Sequence, residues 1–97
     1  MTGTMRSSHG LGIRRRRLLF RAWHRGTREM DLLLGRFADA RVASLDEAEL
    51  GQLEALMDVP DRDLFVWLTA PETTPANYDL PVLHELRAFH LEAPRIP

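Results

Sequence analysis

Residues 27–41, TREMDLLLGRFADAR, place Met30, Leu33, Leu34 and Phe37 at i, i+3, i+4 and i+7, the spacing of one apolar face on a helix. Gly35 inside this stretch costs about 1 kcal/mol relative to Ala, so its presence points to a second helix crossing closely there. Upstream, Ile13 to His24 carries Leu18, Leu19, Ala22 and Trp23 as a second apolar stripe beside the run Arg14 to Arg17, and Gly26 interrupts as a cap or tight link. Downstream, Ser44 followed by Glu47 reads as a capping box opening a third helix, with Leu45, Leu50, Leu53, Leu56 and Met57 turned inward. That helix stops before Pro60, because the residue ahead of a proline is pushed out of helical geometry.

Asp61-Arg62-Asp63 and the run Leu64 to Leu68 read as a short buried helix that includes Trp67. The acids suit a helix start, and a lone strand would find no partner elsewhere in the chain. Pro71 to Pro75 is a loop. Asp79 is expected to cap a last helix, with Pro81 in its first turn and Leu83, Leu86 and Phe89 facing the core. Strand alternation and internal repeats are both missing. The expectation is an all-α fold, about five short helices in one compact bundle, over residues 13–92, with a loose arm at 1–12 and a loose tail at 93–97.

With 97 residues there is room for one core, and 44% hydrophobic with 28% charged residues is ordinary globular composition. Cys is absent, which excludes disulfides, thiol nucleophiles and thiolate metal sites and suits a reducing compartment. No run reaches the roughly 18 apolar residues of a membrane span, and no membrane partner is expected. The arm has Arg and Ser without acid, as in a short organelle-targeting segment, but an ordinary loose N-terminus is the weightier reading.

The net charge of −1 conceals a polarity. Residues 1–41 hold ten Arg against Glu29, Asp31 and Asp39, whereas residues 42–97 hold Arg62, Arg87 and Arg95 against eleven acids. Such polarity points to a basic face meeting an anionic partner. A small basic nucleic-acid-binding regulator is therefore a second functional reading. It is the lesser one, since aromatic interleaving and a recognition-helix turn are missing, and Arg14 to Arg16 read more simply as the solvated face of the first helix.

An inventory of chemistry leaves little for catalysis. Ser7 and Ser8 lie in the arm and Ser44 is read as a cap, so no Ser, Thr or Cys sits with a base, and the chain is not expected to be an enzyme. His84 and His90 fall on different faces of a helix, and together with His9 and His24 they offer no metal-ligand spacing, so no metal is expected. Gly10-Leu11-Gly12 begins like a dinucleotide fingerprint, but Arg15 stands where the third Gly belongs. Asp61 and Asp63 are accounted for as helix-start residues.

The stretch His24 to Glu29 is more specific. Gly26 sits at the joint of two helices, where the backbone turns or is approached closely. Glu29 falls in the first turn of the second helix, positioned to reach back to a free N–H as in a capping box. Arg25 and Glu29 flanking one Gly also form a small bipolar surface suited to charge-assisted hydrogen bonds with another protein.

RGTREMDLLLGRFAD, from Arg25 to Asp39, resembles the signature of the small flavinylation factors of succinate dehydrogenase, SdhE in bacteria and succinate dehydrogenase assembly factor 2 in mitochondria. Their Arg-Gly-x-x-Glu motif is matched by Arg25, Gly26 and Glu29. Asp63-Leu64-Phe65-x-Trp67-Leu68 resembles the family's second block, and the similarity runs from about Leu18 to Phe89. The resemblance implies a five-helix protein that binds the flavoprotein subunit of succinate dehydrogenase, and in some bacteria that of fumarate reductase. It promotes covalent attachment of FAD to a His of that subunit. FAD would stay on the partner, with none bound stably here. Arg25, Gly26 and Glu29 would lie at the contact surface, with His24, Arg28 and Asp31 as neighbours. The compartment implied is the cytoplasm of a bacterium, or the mitochondrial matrix in a eukaryote.

Overall fold

The computed structural model describes residues 11–92, and five α-helices carry the fold. They are α1 (Ile13–Trp23), α2 (Arg28–Arg41), α3 (Glu47–Met57), α4 (Asp61–Thr69) and α5 (Pro81–Glu92), with two single 3-10 turns, Pro71–Thr73 and Ala76–Tyr78, between α4 and α5. Most of the expected arm and all of the expected tail lie outside the described residues. Of the two arm residues that are described, Leu11 packs against the core and Gly12 stands at the N-cap of α1.

The helical faces read from the sequence are the ones buried, except that Leu33 and Phe89 are half-buried against the core's edge. Leu18, Leu19, Ala22 and Trp23 of α1 meet Met30, Leu34 and Phe37 of α2, and this pair of helices has the most extensive contact in the molecule. Each fully buried Leu or Phe contributes about 1.5–3 kcal/mol through the hydrophobic effect. The α1–α2 crossing is close at Gly35, where an added Cβ would stand 2.3 Å from Trp23 Cδ2. α3 and α5 close the other side, with Leu50, Leu53, Leu56, Val82, Leu83 and Leu86 buried and the edge of Phe89 set against Phe37 at 5.7 Å between ring centroids.

Three local expectations are corrected. α3 starts two residues later than Ser44-x-x-Glu47 implied. The Asp46 carboxylate accepts from Glu49 N at 2.8 Å and Glu49 accepts from Asp46 N at 2.9 Å, while the Ser44 hydroxyl donates to Arg41 O. Leu45 and Leu50 then hold the two positions of a hydrophobic staple, both buried, which favours this register over the other. α4 is a helix, but only Leu64 is fully buried. Phe65 and Val66 are each 40% exposed, and Trp67 is half-buried against Tyr78. Asp79 does not cap α5. Its carboxylate pairs with the His84 ring, and the Val82 N–H at the helix start is satisfied by Gln52 Oε1 at 3.1 Å.

The charge polarity of the sequence is partly consumed by pairing between the two halves. Arg14 bonds Glu47 and Glu54, Arg21 bonds Asp58, Arg25 bonds Asp61 and Arg41 lies 3.5 Å from Glu85, each a pairing between the basic and the acidic half. Arg15 donates to Val42 O and Leu45 O beyond the end of α2. Arg14 and Arg15 are therefore structural rather than a solvated face. Among the described residues, Arg16, Arg17 and Arg28 are exposed and their side chains make no hydrogen bond or ion pair. No helix among them is long and apolar enough to cross a membrane.

Candidate functional site

The site is built at the joint between α1 and α2, residues 24–27. His24 ends α1 with its N–H on Arg21 O, and Gly26 then turns the chain at φ +110°, a conformation that L side chains rarely adopt. Thr27 opens α2, its hydroxyl accepting from Met30 N at 3.3 Å. Cap duty thus falls to Thr27 and not to Glu29. No atom lies within 4 Å of a Cβ built on Gly26, so the glycine answers a backbone need rather than crowding within the chain.

Arg25 fastens this joint to the rest of the molecule. Its Nε donates to Asp61 Oδ1 at 2.8 Å, Nη2 lies 2.7 Å from the same oxygen in an ion pair and donates to Val59 O at 2.7 Å, and Nη1 donates to Met57 O. The guanidinium thereby caps the carbonyls at the C-terminus of α3 and pairs with the first residue of α4. Its backbone N–H donates to Asp31 Oδ1 at 2.6 Å. The Arg25 side chain is only 10% exposed, so it faces inward instead of standing on the surface.

The other side of the joint is bare. Gly26, Thr27, Arg28 and Glu29 are all exposed, and the side chains of Arg28 and Glu29 make no hydrogen bond or ion pair with any described residue. Next to them an open groove of about 450 Å³ is lined by Phe20, Arg21, His24, Arg25, Pro60 and Asp61. His24 stacks on Phe20, centroids 3.8 Å apart and planes 14° apart, and its Nδ1–H donates to Phe20 O at 2.7 Å.

The six residues singled out from sequence therefore share one end of the molecule but divide in role. Arg25 and Asp31 hold the turn from within, Gly26 shapes it, Arg28 and Glu29 stand free on it, and His24 faces the groove. Phe20, Pro60 and Asp61 were not marked as site residues. Phe20 carried a readable signal, an aromatic off the apolar stripe of α1, four residues before His24. Asp61 meets Arg25 across 36 positions of sequence and carried none. Among the described residues, no three His, Asp or Glu side chains converge to hold a metal ion.

Comparison with known proteins follows the same outline. The chain is 40% identical over 76 residues to "FAD assembly factor SdhE" of Acetobacter pasteurianus, covering 78% of this chain and 70% of that protein. It is 42% identical over 62 residues to "Succinate dehydrogenase assembly factor 2, mitochondrial" of Mycosarcoma maydis, covering 64% of this chain and 26% of that protein. The protein of the same name from Scheffersomyces stipitis is 39% identical over 77% of this chain and 46% of its own length. The chain thus spans most of the bacterial relative and half or less of these two mitochondrial ones. No solved structure gives a significant match. A family model described as "Flavinator of succinate dehydrogenase" matches residues 16–90, which takes in α1 from its fourth residue, the whole α1–α2 joint and nearly all of α5, and the chain belongs to that family.

Proposed function

We propose that this chain is an assembly factor that binds the flavoprotein subunit of succinate dehydrogenase and promotes covalent attachment of FAD to that subunit, without catalytic turnover of its own. Its work is differential binding: it favours the partner conformation in which bound FAD and the acceptor His meet. FAD remains with the partner. The site of action is the cytoplasm in a bacterium or the mitochondrial matrix in a eukaryote.

The observation that carries this reading is the two-sided character of the α1–α2 joint. Inside, the Arg25 guanidinium is bonded to Asp61 and two carbonyls and its backbone N–H to Asp31; outside, Arg28 and Glu29 are charged, exposed and unpaired beside a glycine turn. With the backbone already fixed by the turn and helix, only side-chain freedom is lost when these charges meet a partner, so charge-assisted bonds formed there contribute more of their strength to binding.

Co-purification with the flavoprotein subunit and in-gel flavin fluorescence test the proposal. The wild-type chain should bind and raise covalent flavin, while Glu29→Gln should stay folded by circular dichroism and lose both. Absence of binding by the wild-type chain, or normal flavinylation with folded Glu29→Gln, returns the turn to a purely structural role.

A further inference from the structure

We infer that the outward face of α1 is a second docking strip, in which Phe20 enters an apolar pocket on the partner while Arg16 and Arg17 meet carboxylates at that pocket's rim. The inference rests on the reading of the Gly26–Glu29 turn as a surface for the flavoprotein subunit, and it extends that contact along α1.

Helical spacing puts Ile13, Arg17, Phe20 and His24 on one side of α1, with Arg16 beside them. This side is opposite the buried stripe, and Phe20 is 62% exposed. An exposed aromatic is ordinarily free to change rotamer. Here His24 is stacked on the ring and bonded to the Phe20 carbonyl, so the side chain is held outward in one place. A large, rigid, exposed aromatic is the usual anchor of a protein–protein contact, since little entropy is lost when it enters a pocket.

The two arginines supply an independent observation. A helix N-terminus carries partial positive charge, and cations in its first turns are destabilising. α1 begins with four Arg and has no acid in its first turn. Arg14 and Arg15 are compensated by Glu47, Glu54 and two carbonyls, but Arg16 and Arg17 have no partner among the described residues. Helix stability does not account for them. With Arg28 on the adjoining turn they give this face three free cations against one free acid, Glu29, and so complement a mainly acidic protein surface. Three cations around an exposed ring are few for phosphate-backbone binding, which draws on about six to ten contacts.

Affinity of the full chain for the purified flavoprotein subunit, measured at several salt concentrations, tests the strip. Phe20→Ser and the double variant Arg16→Glu/Arg17→Glu should each weaken binding about tenfold or more. The double variant should also flatten the salt dependence while leaving the thermal midpoint unchanged or raised, because acids suit that end of a helix. Leu91→Ser, at an exposed apolar position on α5, should bind as wild type. Wild-type affinity of the Phe20 and Arg variants, with Glu29→Gln still impaired, overturns the strip and leaves the turn's role standing. No binding by the wild-type chain overturns both. Loss confined to a generic DNA duplex, or to vesicles containing anionic lipid, makes the strip a nucleic-acid or membrane surface and overturns the proposal.

Discussion

The indole of Trp23 lies directly against the backbone of Gly35, and a methyl group added there would overlap three of its ring carbons at 2.3, 2.5 and 2.7 Å. The same indole donates from Nε1 to Asp39 Oδ1 at 3.2 Å, one helical turn further along α2. Ring and helix are thus held from two directions at the α1–α2 crossing. Gly35→Ala should therefore destabilise the protein by about 1–3 kcal/mol, even though Ala is the better helix former by about 1 kcal/mol. Urea denaturation measures the change, and an increase in stability would show that the indole can move aside.

Arg25→Ala removes the cation from Asp61 and the donors from the carbonyls of Met57 and Val59. Bonds to charged groups contribute about 1.5–3 kcal/mol, and a loss of this order is expected in thermal or urea unfolding. Arg25→Lys should recover only part of it, because a single ammonium lacks the planar fork that serves three acceptors at once. If Arg25→Ala unfolds like wild type, the guanidinium does not fasten the joint.

Gly26→Ala should cost about 1–2 kcal/mol from backbone strain at φ +110°, although nothing stands where the Cβ would go. The consequence for mutagenesis is that Gly26 reports on folding and docking together, whereas Glu29, unpaired and on ordinary helical backbone, reports mainly on docking, with a small loss of about 0.3–1 kcal/mol from the first turn of α2. A thermal midpoint identical to wild type would show that the joint relaxes to another conformation.

Two titrations act on stability with opposite signs. Burial, reinforced by the neighbouring Glu49, holds the Glu85 carboxyl above its ordinary value of 4.5 despite Arg41. Its contribution is fully present below that value and is lost as pH rises through the raised one. Burial of His90, aided by the charge of Arg36 and opposed by the bond to Leu33 O, holds that ring below its ordinary 6.5. Its contribution is present above 6.5 and lost as pH falls through the lowered value. Glu85→Gln should accordingly stabilise the protein at neutral pH and make little difference well below pH 4.5, as read from thermal midpoints across the range. A neutral-pH loss would mean that the Arg41 contact outweighs burial.

Trp67→Ala should cost about 1–3 kcal/mol, less than the 3–5 kcal/mol of a fully buried aromatic. The ring is half-buried and leans on Tyr78 at 5.1 Å between centroids instead of sitting in the core. Tyr78→Ala should then weaken the same contact, and thermal unfolding of the double variant should show less than additive loss.

What the sequence made legible was periodicity. The faces of α1, α2, α3 and α5 follow from spacing alone, because one apolar stripe per helix must meet another. Helix ends were harder. Ser44-x-x-Glu47 and Asp46-x-x-Glu49 are both capping boxes in sequence, and only the burial of Leu45 and Leu50 together separates them. At the start of α2, Glu29 was read as the capping side chain, and the structure gives that role to Thr27. The exposure of Phe65 and Val66 was hidden, since a five-residue apolar run carries no sign of which side faces out. In the site, Gly26 and its neighbours were visible as a local pattern. The fastening of Arg25 to Asp61 was not, because nothing local links residues so far apart.

The bonds between the two halves of the chain also bear on the order in which it can fold. Arg14 reaches Glu47 and Glu54 across 33 and 40 residues, Arg21 reaches Asp58 across 37, and Arg41 reaches Glu85 across 44. During synthesis the first 41 residues emerge with an excess of seven positive charges and none of these partners yet made. α1 and α2 can pair early through Trp23 and Gly35, but the nascent hairpin stays strongly cationic until α3 leaves the ribosome. Closure of these long loops must await the C-terminal half, so the ion pairs that join the two halves form late, after the α1–α2 contact is made.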